Sequence, residues 1–347
     1  MTSFSSKLIN WHHKHGRKDL PWQIKITPYK VWISEIMLQQ TQVKTVIPYF
    51  KKFINRFSNV SQLADSEEEE VLALWTGLGY YSRAKNLHKT SKILKEDYNS
   101  KLPNSLEDLV SLPGIGKSTA GAIISLGFNK RAAILDGNVK RVLARHKNIN
   151  GEISKTKTLN DLWNISEELL PKKEFRTYNQ SLMDLGATIC KKNTPLCNTC
   201  PVTRDCVSKN KNTIELIPNK NKRRKKPSKK VFWLLPYTES RHIYLRKRPP
   251  KGIWGSLWTF LEDKSLGDII NKNRDLRLLK ESLVKHSSIK HSFSHYNLYA
   301  ELYLIKSESL ANTENWKNIS QFNNIGLPKP VLSVLNNILE NEKNSIL

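Results

Sequence analysis

Ser111-Leu112-Pro113-Gly114-Ile115-Gly116-Lys117-Ser118-Thr119-Ala120-Gly121-Ala122, with Asp136 a little further on, is the stretch from which the fold is read. A helical pattern at Ser105, Leu106, Leu109 and Val110 runs into Pro113, two glycines let the chain double back, and Ser118 to Leu126 reads as a second helix. This is a helix-hairpin-helix. Gly114 and Gly116 suit backbone positions that need a positive φ or a close approach by another backbone. A phosphate can then meet bare N–H groups at the start of the second helix, where Lys117 adds positive charge. Asp136 precedes Val139, Val142 and Leu143 and reads as the N-cap of a further helix, where burial and the helix dipole are expected to keep it ionised. Taken singly, these features equally describe a cap and a helical corner. Two other glycine readings fail. Gly116-Lys117-Ser118 has Ser111 where a Walker loop needs glycine, and Gly77-Leu78-Gly79 lacks a third glycine and a preceding strand.

With 347 residues the chain is long enough for two domains. Its net charge of +26 favours a polyanionic partner such as nucleic acid. No apolar run approaches the ~20 residues of a membrane span, and Met1 to Trp11 does not read as a signal peptide, so the protein is expected inside the cell. All four cysteines fall between 190 and 206, which suits metal ligands better than a disulfide framework.

From the N-terminus, Leu8, Ile9 and Trp11 mark a helix whose His12, His13 and His15 read as a solvated face. Thr27 caps and Pro28 opens the next helix, and Glu35 sits among its apolar residues Val31, Trp32, Ile36 and Leu38. Burial there would raise the carboxyl pKa and let it deliver a proton near neutral pH. An ordinary structural glutamate paired to a nearby cation has the same local pattern. Gln39, Gln40 and Thr41 offer amide and hydroxyl groups suited to base edges. Helical patterns from Val46 to Phe57 and Leu63 to Leu74 stop at Gly77-Leu78-Gly79-Tyr80-Tyr81, where Leu78 and Tyr80 are candidate wedges for a duplex step. Arg83, Lys85 and Lys89 follow as phosphate contacts. The spacing Cys190-x6-Cys197-x2-Cys200-x5-Cys206 suits zinc or an iron-sulfur cluster. Lys220 to Lys230 is a basic linker, and beyond Val231 the period becomes strand-like.

In this order, the Glu35 helix, the hairpin with Asp136 and the four cysteines resemble the endonuclease III and MutY branch of the helix-hairpin-helix DNA glycosylases. The second domain, with Gly252 to Phe260 and His291 to His295, resembles the Nudix-like domain of the MutY adenine DNA glycosylases. The resemblance implies a mainly α catalytic region (1–218), a basic linker (219–230) and a smaller α+β Nudix-like domain (231–347) that reads 8-oxoguanine. That domain lacks the glutamate pattern of a Nudix box and is expected to bind rather than hydrolyse.

Carried onto this chain, the resemblance makes Glu35 the acid that protonates adenine, Asp136 the carboxylate facing the sugar and Asn138 its support. Gln40, Leu78 and Tyr80 would surround the opposite base, while Gly114, Gly116, Lys117 and Ser118 would meet DNA at the hairpin. Phe293, Ser294 and His295 would read the lesion. Cys190, Cys197, Cys200 and Cys206 would hold one 4Fe-4S cluster, pinning a basic loop near the DNA backbone. A monomer in the bacterial cytoplasm, at the nucleoid, acting on duplex DNA with adenine opposite 8-oxoguanine or guanine is expected. Endonuclease III-like enzymes carry a nucleophilic lysine where this chain has Ser118, so base removal without strand cleavage is expected. The rival readings are a bifunctional pyrimidine glycosylase and a lesion-binding protein without turnover.

Overall fold

The computed structural model describes residues 3–219, 225–308 and 313–344, so part of the basic stretch read as a linker, 220–224, lies outside the described residues. The chain divides into two compact units, Met1–Asp65 with Asn86–Arg223, and Ser66–Lys85 with Arg224–Leu347.

Helices make up the first part of the chain: α1 (Phe4–His15), α2 (Pro28–Leu38), α3 (Val43–Arg56), α4 (Val60–Ala64), α5 (Glu68–Leu74), α6 (Ser82–Asp97), α7 (Leu106–Ser111), α8 (Lys117–Ala122), α9 (Gly137–Lys147), α10 (Thr156–Glu168), α11 (Phe175–Asp184) and α12 (Val207–Asn210). The pattern from Leu63 to Leu74 is two helices rather than one. Glu67 is extended at the start of α5, and Glu68, Glu69 and Glu70 place negative charge in its first turn, where the helix dipole favours it. The core of the first unit joins Phe4, Leu8 and Ile9 of α1 to Val139, Val142 and Leu143 of α9, Leu162 of α10 and Tyr178 and Leu182 of α11. The hairpin forms as read: Ser105 caps α7 through Asp108 N–H at 3.1 Å, and Thr90 donates to the Pro113 carbonyl at 2.9 Å. Gly114 has φ +80°, and a Cβ there would stand 2.8 Å from Asn86 Cβ. Gly116 does not meet the same expectation, since its φ is −88° and open space surrounds it.

The second unit carries β1 (Ser228–Tyr237), β2 (His242–Tyr244), β3 (Arg246–Lys247), β4 (Trp258–Thr259), β5 (Leu261–Asp263), β6 (Leu278–Ser292), β7 (Asn297–Ser307) and β8 (Trp316–Asn318), with α13 (Leu266–Lys272) and α14 (Lys329–Asn344). The main sheet runs β6-β7-β1-β2-β8, with β5 also pairing β1. β1 and β7 are parallel and their neighbours antiparallel. Alternation along β1 sends Val231, Trp233 and Leu235 to one face with Val331, Val334 and Leu335 of α14. Leu234 goes to the other face with Ile269 of α13. The architecture is thus a helical region followed by an α+β sheet domain.

α5 and the loop after it are fastened to this sheet domain. Trp258 Nε1 donates to Glu69 Oε1 at 2.6 Å, and Lys247 pairs with Glu69 Oε2 at 3.0 Å. Tyr81 donates its hydroxyl to the Leu327 carbonyl at 2.6 Å. Lys85 Nζ donates to the Pro250 carbonyl at 2.8 Å and Ser256 Oγ at 3.0 Å.

Candidate active site

A cavity of about 980 Å³ opens in the first unit, with Glu35, Asp136, Asn138, Arg141, Gln180 and Gln40 among its lining residues. α2 delivers Glu35: Thr27 Oγ1 accepts Lys30 N–H at 3.2 Å, Pro28 fixes the first turn, and Val31, Trp32, Ser34 and Ile36 bury the helix around it. Glu35 is largely buried yet lines the cavity. Burial first, then the charge of Asp136, pushes its pKa up to about 8.

α9 delivers Asp136 as its N-cap, accepting the Val139 N–H at 2.7 Å. Here the expectation that burial helps to keep the group ionised is corrected. Burial is the largest influence and raises the pKa, because a carboxylate loses its water there. The Val139 and Asn138 N–H groups, Arg141 and the Asn138 amide oppose it. Only Asp136 of the two carboxyls receives such opposition, so within the pair Glu35 is the better proton holder.

Asn138 Nδ2 lies 3.4 Å from Asp136 Oδ2, and Asn138 Oδ1 accepts Arg141 Nη2 at 2.8 Å. Arg141 also donates to the carbonyls of Gly186 (2.7 Å) and Cys190 (2.8 Å). A Cβ on Gly186 would stand 2.7 Å from Asn138 Cβ, so only glycine lets that turn pack against the site. Arg141 escaped the sequence reading although it lies one turn after Asn138 on α9.

Asp184 also escaped. It is 1% exposed and accepts Arg17 N–H at 2.9 Å, Arg17 Nε at 3.0 Å, Arg17 Nη2 at 2.6 Å and Gln180 Nε2 at 2.9 Å. His12 Nε2 lies 3.5 Å from its other oxygen. His12 is therefore buried and lines the cavity, and only the other two histidines of α1 fit the solvated face.

Gln40 is exposed at the cavity, on a backbone turned to φ +58°. Lys117 and Ser118 do not line it. Ser118 Oγ accepts the Leu135 N–H at 3.1 Å, just ahead of Asp136. Lys117 pairs with Glu167 at 3.1 Å and lies 4.2 Å over the Trp163 ring. In the second unit Tyr80 is 48% exposed while Leu78, at 6%, is buried and not presented as a wedge. Arg83 and Lys85 are likewise not free for phosphates: Arg83 is buried, donating to the Gly79 carbonyl at 3.0 Å and stacked over Trp75 and Tyr80, and Lys85 is held as above. Lys89 is exposed. Phe293 stacks on Tyr296 at 4.6 Å and meets Trp254 at 5.1 Å, leaving Ser294 and His295 exposed.

The four cysteines are half-buried. Cys190 and Cys200 pack against the core of the first unit. Arg145 grips the segment, donating to the carbonyls of Lys191 (2.6 Å) and Lys192 (3.0 Å) with Cys190 Sγ at 3.5 Å. Burial raises the pKa of the Cys200 thiol to about 12, against the Val202 N–H and with the other three cysteines adding to the rise. Among the described residues no three metal-binding side chains gather tightly enough for a single metal ion. Four thiols are the number that supplies one thiolate to each iron of a four-iron cluster, and the donor set alone suits zinc equally.

Residues 33–168 match the family described as HhH-GPD superfamily base excision DNA repair protein, and residues 232–337 match the NUDIX domain. The chain is similar to the adenine DNA glycosylase of Buchnera aphidicola subsp. Baizongia pistaciae (strain Bp), at 44% identity over 343 residues covering 96% of each chain. It is 42% identical to that of Buchnera aphidicola subsp. Acyrthosiphon pisum (strain APS), over 97% of this chain and 98% of the relative. Among solved structures it is similar to a thermostable thymine-DNA glycosylase, with TM-score 0.55 and 28% identity over 60% of this chain and 95% of that one.

Proposed function

Because the chain belongs to the adenine DNA glycosylase family, hydrolases of N-glycosyl bonds in base-excision repair, we propose that it removes adenine paired with 8-oxoguanine or guanine in duplex DNA, without cutting the strand. The observation that carries this reading is the pair of buried carboxyls on one cavity, with only Asp136 supplied with donors.

The adenine is flipped out of the stack into the cavity. Glu35 gives its proton to N7 of the base, which drains electrons from the bond to the sugar and makes adenine a leaving group. Asp136 faces the sugar as positive charge develops there, either as a fixed counter-charge or in a transient bond. Asn138 and Arg141 hold it in place, and water completes the hydrolysis. On the DNA side, Gln40 and Tyr80 act beside the opposite base, the hairpin from Gly114 to Ser118 meets the backbone, and Ser294 and His295, backed by Phe293, read 8-oxoguanine. The catalytic role falls to 1–218 and lesion reading to 231–347, with Ser66–Lys85 packed into the latter's unit.

Cys190, Cys197, Cys200 and Cys206 would hold one 4Fe-4S cluster, whose contribution is to pin the basic loop around Lys191, Lys192 and Arg204. Protein purified without oxygen is expected to carry about four irons and four inorganic sulfides per chain. Stoichiometric zinc with no inorganic sulfide would rule the cluster out.

The activity is tested by single-turnover excision from duplexes holding adenine opposite 8-oxoguanine, guanine or thymine, and thymine glycol opposite adenine. Adenine release from the first two, with breaks only after alkali, is expected. Release of thymine glycol with spontaneous nicking, or efficient trapping by borohydride, would place the chain with the lysine-dependent enzymes. Tight binding without release would leave a lesion-binding protein.

A further inference from the structure

We infer that Asp184 is a positioning residue for base choice: it fixes which end of the Gln180 amide faces the flipped base, and so favours a base with an amino group at position 6 over one with a carbonyl. This rests on the adenine-excision reading above.

Gln180 and Asp184 stand one turn apart on α11, but only Gln180 lines the cavity. Asp184 lies behind it, almost wholly buried, with its oxygens occupied by Arg17, by Gln180 and, at longer range, by His12. Contacts from His12 and Arg17 hold its carboxyl below the usual carboxylate range despite burial. An ionised carboxylate only accepts. The Gln180 amide therefore docks one way, its –NH2 towards Asp184 at 2.9 Å and its Oε1 and second N–H left for the cavity. Turning the amide over would set Oε1 against the carboxylate and lose that bond.

The edge left for the base is thus an acceptor beside a donor. Adenine presents an exocyclic amino donor flanked on either side by a ring-nitrogen acceptor, which complements that edge. Hypoxanthine and guanine place a carbonyl at position 6, which would meet Oε1 acceptor to acceptor. A residue outside the cavity thereby dictates what the cavity accepts.

The test is the ratio of single-turnover rates for adenine and hypoxanthine, each opposite 8-oxoguanine. In Asp184→Asn, whose side chain can offer Gln180 either a donor or an acceptor, the ratio is expected to fall about tenfold or more. Gln180→Met should lower it as far, and the double variant no further. A purely structural role would slow both bases in proportion and leave the ratio unchanged, which would overturn the inference. Should melting show Asp184→Asn poorly folded, Gln180→Glu decides: the new acid must donate its proton to Asp184, so the preference for adenine should persist, and its inversion would refute the lock. If wild type releases no adenine, the activity reading fails instead.

Discussion

Glu35→Gln is expected to lower single-turnover release of adenine opposite 8-oxoguanine by about 10²- to 10⁴-fold, because the amide keeps the shape of the acid and loses its proton. The wild-type rate should fall as pH rises through about 8, where Glu35 ionises. The variant's residual rate should lack that alkaline limb. Wild-type stability should fall over the same rise in pH. The folded pKa of about 8 lies above the ordinary 4.5, so the folded chain holds the proton more tightly than the unfolded one. The stability this confers is complete below about pH 4.5 and is lost as pH climbs towards about 8. Across that window Glu35→Gln is expected to gain on wild type in thermal melting. A variant as fast as wild type, or one that loses ground in melting as pH rises, would remove Glu35 from the acid role.

Asp136→Asn should cost about 10²- to 10³-fold or more in the same assay, through loss of the negative charge opposite the developing cation. Asparagine caps a helix as well as aspartate does, so α9 should survive and circular dichroism should match wild type. Loss of this charge also removes one of the two influences that raise the Glu35 pKa. The alkaline limb of the residual activity should therefore move to lower pH. An unmoved limb would show that the carboxyls do not sense each other, and a lost helical signal would reassign Asp136 to a purely structural cap.

Much of this site is legible where the signal is local. Thr27 and Pro28 announce α2, Pro113 and Gly114 announce the hairpin, and Asp136 stands three residues before Val139, whose N–H it caps. The change of period at Val231 marks the sheet. What stays hidden depends on partners far along the chain. His12 looks solvated because Asp184 cannot be seen beside it, and Arg17 meets Asp184 across 167 residues. Arg83 and Lys85 look like phosphate ligands until Gly79, Pro250 and Ser256 claim them. Leu78 and Tyr80 are two residues apart in one loop, and only tertiary packing decides that the tyrosine faces water. The direction of the Asp136 shift likewise depends on how much protein closes over it, which a cap motif does not state.

The fastening of α5 and its loop to the sheet domain bears on the genetics of such a chain. A stop codon placed after the cysteines would spare Glu35, Asp136 and the four thiols. The truncated product would still lack Trp258 and Lys247 for Glu69, the Leu327 carbonyl for Tyr81, and Pro250 and Ser256 for Lys85. Leu72, covered by Gly326 in the whole protein, would meet solvent there. Such an allele would therefore do more than remove the sheet domain. It would unseat Tyr80 more than a hundred residues upstream of the stop codon.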